Sequence, residues 1–421
     1  MISLSNQSKV IETTVDLPAS KSISNRLLII HFLMKQTFKI EHLSDCDDTN
    51  NLNLALKNIN AKDTIEQNEY MCVDVGEAGT SFRFLTALLA IISGKYKLVG
   101  TSKLLQRPIA PLVDALNQLG ANINFENNKI GSALLIDESK IVGGDIDLDA
   151  SISSQFITAL MLVAPYFTNG LTIHLKGKIV STSYIILTKK LMIEFGADVE
   201  FIGNTIHIKP VPYQYHHSKY FVESDWTAAS YWFAFAALSN KANIFIKGLK
   251  ENSYQGDALV APLFNIYGIQ SSFFEDGLQI TKSKHEGFIH IFDFIDNPDL
   301  VQTFAFLNAA LDLPLQVNQA ANLIHKETNR IEALSNELSK IGVELVVKSN
   351  DDFAITCKPF KIQLPLIFKT YQDHRMAMSA AILAMKFDSI QIANSEVVLK
   401  SYPNFWNHLS QAGFTIRQIK G

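Results

Sequence analysis

Leu191-Met192-Ile193-Glu194-Phe195-Gly196-Ala197-Asp198-Val199 joins a helical apolar period to an alternating strand through a single glycine. Glycine enters the left-handed region without a Cβ penalty, so it closes a helix and turns the chain straight into a strand. The same grammar returns at Leu116-Asn117-Gln118-Leu119-Gly120-Ala121-Asn122-Ile123, and again around Tyr267-Gly268-Ile269, Ile341-Gly342-Val343 and Ala412-Gly413-Phe414. These glycines recur at intervals of roughly 70 to 76 residues, longer than a solenoid period, which predicts duplicated α/β subdomains. An earlier copy, Leu54-Ala55-Leu56-Lys57-Asn58-Ile59-Asn60-Ala61, is expected to put Asn60 in the glycine's role, because asparagine also tolerates that conformation. The count is then six. Helix–glycine–strand junctions occur in any α/β protein, and it is the even spacing that favours duplication.

Composition narrows the class. A chain of 421 residues has room for two or three domains. Hydrophobic residues make up 47% and charged residues 19%, as in ordinary soluble proteins with filled cores. A net charge of −4 leaves no general basic footprint for nucleic acid, so any cationic site is local. Cys46, Cys72 and Cys357 have no metal-type spacing and cannot all pair, which fits a reducing compartment. The first residues, Met1 to Gln7, lack the charged and apolar regions of a secretion signal, and no apolar run reaches membrane-spanning length. The longest, Ala228 to Leu238, reads as a buried helix, and the expected location is the cytoplasm. The polar stretch Val211 to Lys219 is the best hinge candidate by composition, with His216 and His217 read as loop surface.

Charged residues gather where helices are expected to begin. Leu17-Pro18-Ala19-Ser20-Lys21-Ser22-Ile23-Ser24-Asn25-Arg26 ends an extended segment and opens a helix, putting two cations and several hydroxyls beside free backbone N–H groups. Gly76-Glu77-Ala78-Gly79-Thr80-Ser81-Phe82-Arg83 leads into an apolar helix expected over 84–92, and Gly79 permits close approach of a ligand. Arg107 precedes Pro108, read as the first residue of a helix, where a cation gains nothing from the dipole. Ser151-Ile152-Ser153-Ser154-Gln155 precedes an apolar helix over 156–163. Asp299 stands at a helix start near Leu300, either as a first-turn acid or as a general base. Lys326 and Arg330, four apart, are expected on one helix face, with Glu327 beside them as a proton carrier. Tyr371 to Met378 and Val398 to Pro403 complete the series. Capping residues and solvated charges account for any one of these; the repetition points to anionic ligands.

Taken in order, Pro-Ala-Ser-Lys-Ser-Ile-Ser-Asn-Arg, Gly-Glu-Ala-Gly-Thr-Ser-Phe-Arg, Gln-Arg-Pro-Ile, Ser-Ser-Gln-Phe, Lys-Glu-Thr-Asn-Arg, Asp-His-Arg-Met-Ala-Met and Lys-Ser-Tyr-Pro resemble the signatures of the 5-enolpyruvylshikimate-3-phosphate synthase (3-phosphoshikimate 1-carboxyvinyltransferase) family. The resemblance covers nearly the whole chain. It implies an α/β fold of two domains, an inside-out α/β barrel of six βαβαββ repeats. One domain is 1–19 with 225–421, the other 20–224, and the active site lies in the cleft between them. It implies transfer of the enolpyruvyl group of phosphoenolpyruvate to the 5-hydroxyl of shikimate 3-phosphate, on the route to chorismate and the aromatic amino acids. No cofactor and no metal are implied, the partners are the two small substrates without nucleic acid or membrane, and a monomer is expected.

Position by position, the resemblance assigns Lys21, Ser22, Arg26, Ser153, Ser154, Gln155, Ser181, Tyr184, Asp299, Asn322 and Lys326 to shikimate 3-phosphate. It assigns Lys21, Gly79, Arg107, Gln155, Arg330, Arg375 and Lys400 to phosphoenolpyruvate, and Asp299, Glu327, Lys21 and Lys400 to catalysis. The physics agrees: like charges near 4 Å cost about 4 kcal/mol per pair at an effective dielectric near 20, so two polyanions need fixed cations. Three positions depart from the usual pattern, Ala19 for Gly, Glu77 for a neutral residue and Asn329 for Asp, the last expected to loosen Arg330. The related UDP-N-acetylglucosamine enolpyruvyl transferases differ at the first motif, where this chain has Ser-Lys-Ser, and carry a loop cysteine near the Arg107 segment that this chain lacks. A non-catalytic anion-binding relative is the other alternative, and retention of Asp299 and Glu327 speaks against it.

Overall fold

A computed structural model describes residues 1–34, 38–61, 69–284, 287–349, 351–358 and 362–419, with 321 and 325 described by backbone alone. Its strands repeat one topology. Met71–Asp74 runs parallel to Tyr96–Val99, which pairs antiparallel with Leu134–Asp137, which in turn pairs antiparallel with Asn122–Phe125. In chain order this is strand, helix, strand, helix and hairpin. Gly144–Asp149, Leu171–Lys176, Thr205–Ile208 and Val199–Ile202 follow the same plan. The sheets built on the parallel pairs Val10–Val15 with Lys241–Lys247, Ile291–Asp293 with Leu315–Asn318, and Ile367–Phe368 with Ile390–Ile392 keep this strand order, but residues 20–222 are inserted between the parallel strands of the first, and Ile2–Ser5 with Thr415–Gln418 replaces the hairpin in the last. A sixth sheet is the parallel pair Lys39–Glu41 and Lys219–Phe221. The register keeps apolar residues on one face, as Tyr96 opposite Ile136 and Ile123 opposite Ile136 show.

The predicted glycine junctions are present: Gly120, Gly196, Gly268, Gly342 and Gly413 all have positive φ. Asn60 is a correction. It is the last residue of the helix Asp47–Asn60 and the cap that follows, Ala61, has φ −78°, so neither residue takes the left-handed conformation expected of Asn60.

The chain divides into two compact units, Met1–Ala19 with Glu223–Gly421, and Ser20–Val222. In the first, the helices Trp226–Leu238, Val301–Ala310 and His374–Ala381 are buried along nearly their whole length. In the second, Lys21–Leu33, Gly79–Leu89 and Ser154–Val163 fill the interior in the same way. Helices apolar on every side belong inside, and here the sheets wrap them. Each fully buried Leu, Ile or Phe contributes about 1.5–3 kcal/mol. The polar ends of these helices, not their middles, carry the charged motifs.

Several expected boundaries move. The helix expected over 84–92 spans Gly79–Leu89, so Gly79 is its first residue. Pro108 is not a first helical residue: the following helix is Ala110–Gln118 with Ile109 as its cap, and Arg107 follows the short helix Ser102–Leu105. The helix expected over 156–163 starts at Ser154. Lys326 is extended and lies outside the helix Arg330–Leu338, so it shares no helix face with Arg330. The segment 211–219 belongs to the unit of residues 20–222, where the Tyr213 hydroxyl donates to the Leu162 carbonyl at 2.8 Å and Tyr215 stacks on Phe195. His216 and His217 are exposed. The chain passes between the units at 19–20 and 222–223 instead. Among the described residues no helix is long and apolar enough to cross a membrane.

Candidate active site

In the unit of residues 20–222, three helix starts are tied together by side chains. Ser20 caps the first helix, its hydroxyl accepting the Ile23 N–H, and Lys21 follows at once. Lys21 Nζ donates to Asp48 Oδ2 at 3.0 Å, with both side chains mostly buried. The Ser81 hydroxyl, in the first turn of the Gly79 helix, donates to the Asp48 carbonyl at 3.1 Å. Gln155 Nε2 donates to Thr80 Oγ1 at 3.2 Å, and Ser153 caps the Ser154 helix by accepting the Gln155 N–H. Lys21, Gly79, Ser153, Ser154 and Gln155 are thereby gathered at the linked starts of three helices, where backbone N–H groups and dipoles favour anions.

Arg107 lies directly over Gly79. A Cβ at position 79 would stand 2.6 Å from Arg107 Nη1 and 3.0 Å from Arg83 Nη1. Arg83 itself donates to the carbonyls of Gly79 and Pro108, both at 2.8 Å, and so braces the backbone on either side of Arg107. Arg26 is deeper than its motif suggests. It is 3% exposed, and its guanidinium donates to Thr188 Oγ1 at 2.6 Å and to the carbonyls of Ser22 and Tyr184. Burial lowers its pKa to about 10. Ser181 is buried with a left-handed φ of 56°, immediately before the helix Thr182–Glu194 that carries Tyr184. Glu77 is exposed.

The other unit holds a denser charge cluster. Asp299 follows Pro298 in a single 3-10 turn ahead of the buried helix Val301–Ala310. Its Oδ1 accepts from Arg330 Nη1 at 2.8 Å and its Oδ2 from Arg375 Nη2 at 2.8 Å, while Lys326 Nζ stands 4.0 Å from Oδ1. Arg330 is 1% exposed, and its other two nitrogens donate to Asp373 Oδ2 at 2.8 Å and Glu327 Oε2 at 3.0 Å. Asp373 is also the cap of the His374 helix, accepting the Arg375 N–H. Lys400 Nζ donates to the Gln372 carbonyl at 3.0 Å. Gln372 and Tyr371 both have positive φ, a strained turn that aims this carbonyl. Asn322 is buried in the short turn just before Lys326.

Electrostatics follow from this packing. Burial favours a neutral Asp299, but Arg375, Lys326 and Arg330 together hold its carboxyl well below the usual carboxylate range. Burial lowers the Lys326 pKa, against the pull of Asp299. Asp373, Glu327 and Asp299 outweigh burial at Arg330 and raise its pKa, so it is a permanent cation.

Sequence reading missed four side chains that hold these groups. Arg83 and Asp373 stand inside quoted motifs, while Asp48 lies outside them, and its only signal was the Lys21 cation in need of a partner. Asp257 had no signal. It is buried and touches neither motif in sequence, yet its carboxylate accepts from Asn297 and Thr227 beside the Asp299 turn. The expectation that Asn329 loosens Arg330 does not hold. Asn329 Oδ1 caps its helix by accepting the Glu332 N–H, and Arg330 is oriented by three carboxylates, none of them residue 329. Among the described residues no group of His, Cys, Asp and Glu is arranged to hold a metal ion.

The comparisons with known proteins agree along the chain's length. The sequence profile of EPSP synthase (3-phosphoshikimate 1-carboxyvinyltransferase) matches residues 5–409. A 3-phosphoshikimate 1-carboxyvinyltransferase of Bacteroides fragilis (strain YCH46) is 43% identical over 408 residues, covering 97% of each chain. One from Pseudoalteromonas translucida is 35% identical over 413 residues, covering 94% of this chain and 96% of that one. Among solved structures, an EPSP synthase from Acinetobacter baumannii superposes with a TM-score of 0.75 at 18% identity over 99% of both chains. The enolpyruvyl transferase NikO from Streptomyces tendae gives 0.74 at 15% identity, covering 100% of this chain and 99% of that one. These two establish the shared two-domain enolpyruvyl transferase fold. With a profile spanning the chain and curated relatives well above 30% identity, this chain belongs to the EPSP synthase family.

Proposed function

We propose that this chain transfers the enolpyruvyl group of phosphoenolpyruvate to the 5-hydroxyl of shikimate 3-phosphate, releasing phosphate. The observation that carries the reading is Asp299, an ionised carboxylate fixed between two guanidinium groups, with a second carboxylate, Glu327, on the same Arg330. Two carboxylates with different surroundings suit a reaction that needs a base and an acid.

The addition step couples two proton transfers. The 5-hydroxyl oxygen attacks C2 of phosphoenolpyruvate while Asp299 takes the hydroxyl proton. Glu327, assisted by Lys21, gives a proton to the C3 methylene, which becomes a methyl group. Elimination reverses the acid's part: C3 returns its proton to Glu327, the C2–O bond to phosphate breaks, and the leaving phosphate takes the proton held by Asp299. Lys400 stabilises the developing charge. Phosphoenolpyruvate is held by Lys21, Gly79, Arg107, Gln155, Arg330, Arg375 and Lys400. Shikimate 3-phosphate is held by Lys21, Ser22, Arg26, Ser153, Ser154, Gln155, Ser181, Tyr184, Asn322 and Lys326. An anion arriving at Arg330 and Arg375 competes with Asp299 for their charge, which raises the Asp299 pKa and makes it a base only when substrate is present. The protein works in the cytoplasm as a monomer.

The test is phosphate release with purified protein. Phosphoenolpyruvate and shikimate 3-phosphate together are expected to release phosphate, and either one alone is not. Release with UDP-N-acetylglucosamine as the acceptor and none with shikimate 3-phosphate would overturn the assignment.

A further inference from the structure

We propose that Asp257 is a positioning residue for the Asp299 carboxylate, acting through Asn297. This rests on the reading of Asp299 as the base. The Asp257 carboxylate is 5% exposed and sits between two elements. Its Oδ1 accepts from Asn297 Nδ2 at 2.9 Å, and its Oδ2 accepts from Thr227 Oγ1 at 2.5 Å. Asn297 caps the 3-10 turn Pro298–Leu300 on which Asp299 stands. Its own backbone is fixed at both ends, donating to the Phe294 carbonyl at 3.2 Å and accepting the Leu300 N–H at 3.0 Å. Thr227 is the second residue of the buried helix Trp226–Leu238. Asp257 therefore ties the turn that carries Asp299 to the start of that helix. The helices beyond are joined again where the Ser230 and Thr303 hydroxyls meet at 3.2 Å.

The same short segment makes a second clamp. Gln255 Oε1 accepts the Trp226 N–H at 3.1 Å, and its Nε2 donates to Glu223 Oε1 and the Ser224 carbonyl, both at 2.8 Å. Residues 255 to 257 thus fix the helix start on one side and the Asp299 turn on the other.

A neutral side chain of the same size would fill this space at lower cost, since a buried carboxylate is expensive even when hydrogen-bonded. The charge has a consequence for Asp299. The charged groups that act on Asp257 are Asp299 and Arg375, and its two direct partners are neutral. Burial, and after it the Asp299 charge, push the Asp257 pKa up to about 6. The coupling is mutual: ionised Asp257 opposes the cations that depress Asp299 and leaves it a stronger base. A buried carboxylate whose pKa is perturbed by burial and by a specific neighbouring charge is a mark of functional sites.

The experiment compares Asp257→Ala, Asp257→Asn and Asp299→Ala in the full chain, following phosphate release against pH with both substrates. Asp257→Ala is expected to lower kcat by about 10²-fold, the scale of a misplaced catalytic group. KM for either substrate is expected to change by less than about threefold, because no binding contact is lost. Asp257→Asn keeps an acceptor for Asn297 and recovers part of kcat. It also moves the acid limb of the kcat profile to lower pH, because protonation of Asp257 near pH 6 no longer weakens the Asp299 base. A merely structural role would reduce the folded fraction without moving that limb. If Asp257→Ala does not fold, the pH limb of Asp257→Asn decides. Wild-type kcat and an unmoved limb in Asp257→Asn, with turnover lost in Asp299→Ala, would overturn the role of Asp257 alone. Turnover retained in Asp299→Ala would instead remove the base that Asp257 is proposed to serve.

Discussion

Gly79 shows how one missing atom places a cation. Its absent Cβ leaves room for Arg107 Nη1, which a methyl group would meet at 2.6 Å. The obstructed atoms are the far ends of two arginines, so Gly79→Ala is expected to fold and to displace Arg107 rather than backbone. KM for phosphoenolpyruvate should rise about tenfold, equivalent to roughly 1.4 kcal/mol, with a smaller change in kcat. Steady-state kinetics check this, and an unchanged KM would mean that Arg107 does not hold this substrate. Asp257 gives a prediction about stability. Its folded pKa of about 6 lies above the ordinary carboxylate value, so the folded state binds the proton more tightly than the unfolded chain does. That contribution is fully present below about pH 4 and is lost as pH rises through about 6. Relative to wild type, Asp257→Asn should therefore gain up to about 3 kcal/mol between pH 4 and pH 7, two pKa units at 1.36 kcal/mol each. Urea unfolding of both proteins at several pH values measures it, and a difference that does not vary with pH would contradict it.

The buried helices of this protein are apolar in the middle and polar at the start. Where a charged residue stands there it is paired across to another element, as Lys21 is to Asp48 and Arg375 to Asp299. Caps and ion pairs are separable at residue 329. Asn329 supplies a cap to Arg330–Leu338, while Arg330 takes its direction from Asp299, Glu327 and Asp373. Asn329→Asp is accordingly expected to change kcat by less than about twofold, since both residues cap well and neither orients Arg330. Asn329→Ala should cost about 1 kcal/mol in stability through the lost cap, with similarly small kinetic effects. Thermal unfolding alongside the phosphate-release assay separates the two quantities.

At the scale of the molecule, each compact unit has its own buried helices and its own three sheets among the described residues. The residues bordering the two chain crossings, Ala19 and Ser224, form a β-bridge, so the ends of the segment 20–222 leave the other unit side by side. A fragment of residues 20–222 is therefore expected to unfold cooperatively in urea and to bind shikimate 3-phosphate more weakly than the full chain, because it keeps Lys21, Ser22, Arg26 and Ser153 to Gln155. A non-cooperative transition, seen by circular dichroism, would contradict this. By itself the sequence determined the repeat and the polarity of each helix start. Glycine at a helix end, serine or aspartate at a helix cap and an apolar run are local requirements that act within a few residues. It did not determine helix limits closely, and it misplaced Asn60, Pro108 and Lys326, where neighbours several residues away chose between allowed conformations. Only the tertiary structure decided which charge faces which. Arg330 meets Asp299 and Asp373 from distant parts of the chain, and Asp257 meets Asn297, through folding alone. Coulomb and hydrogen-bond partners depend on distance in space and on burial, and neither leaves a period in the sequence.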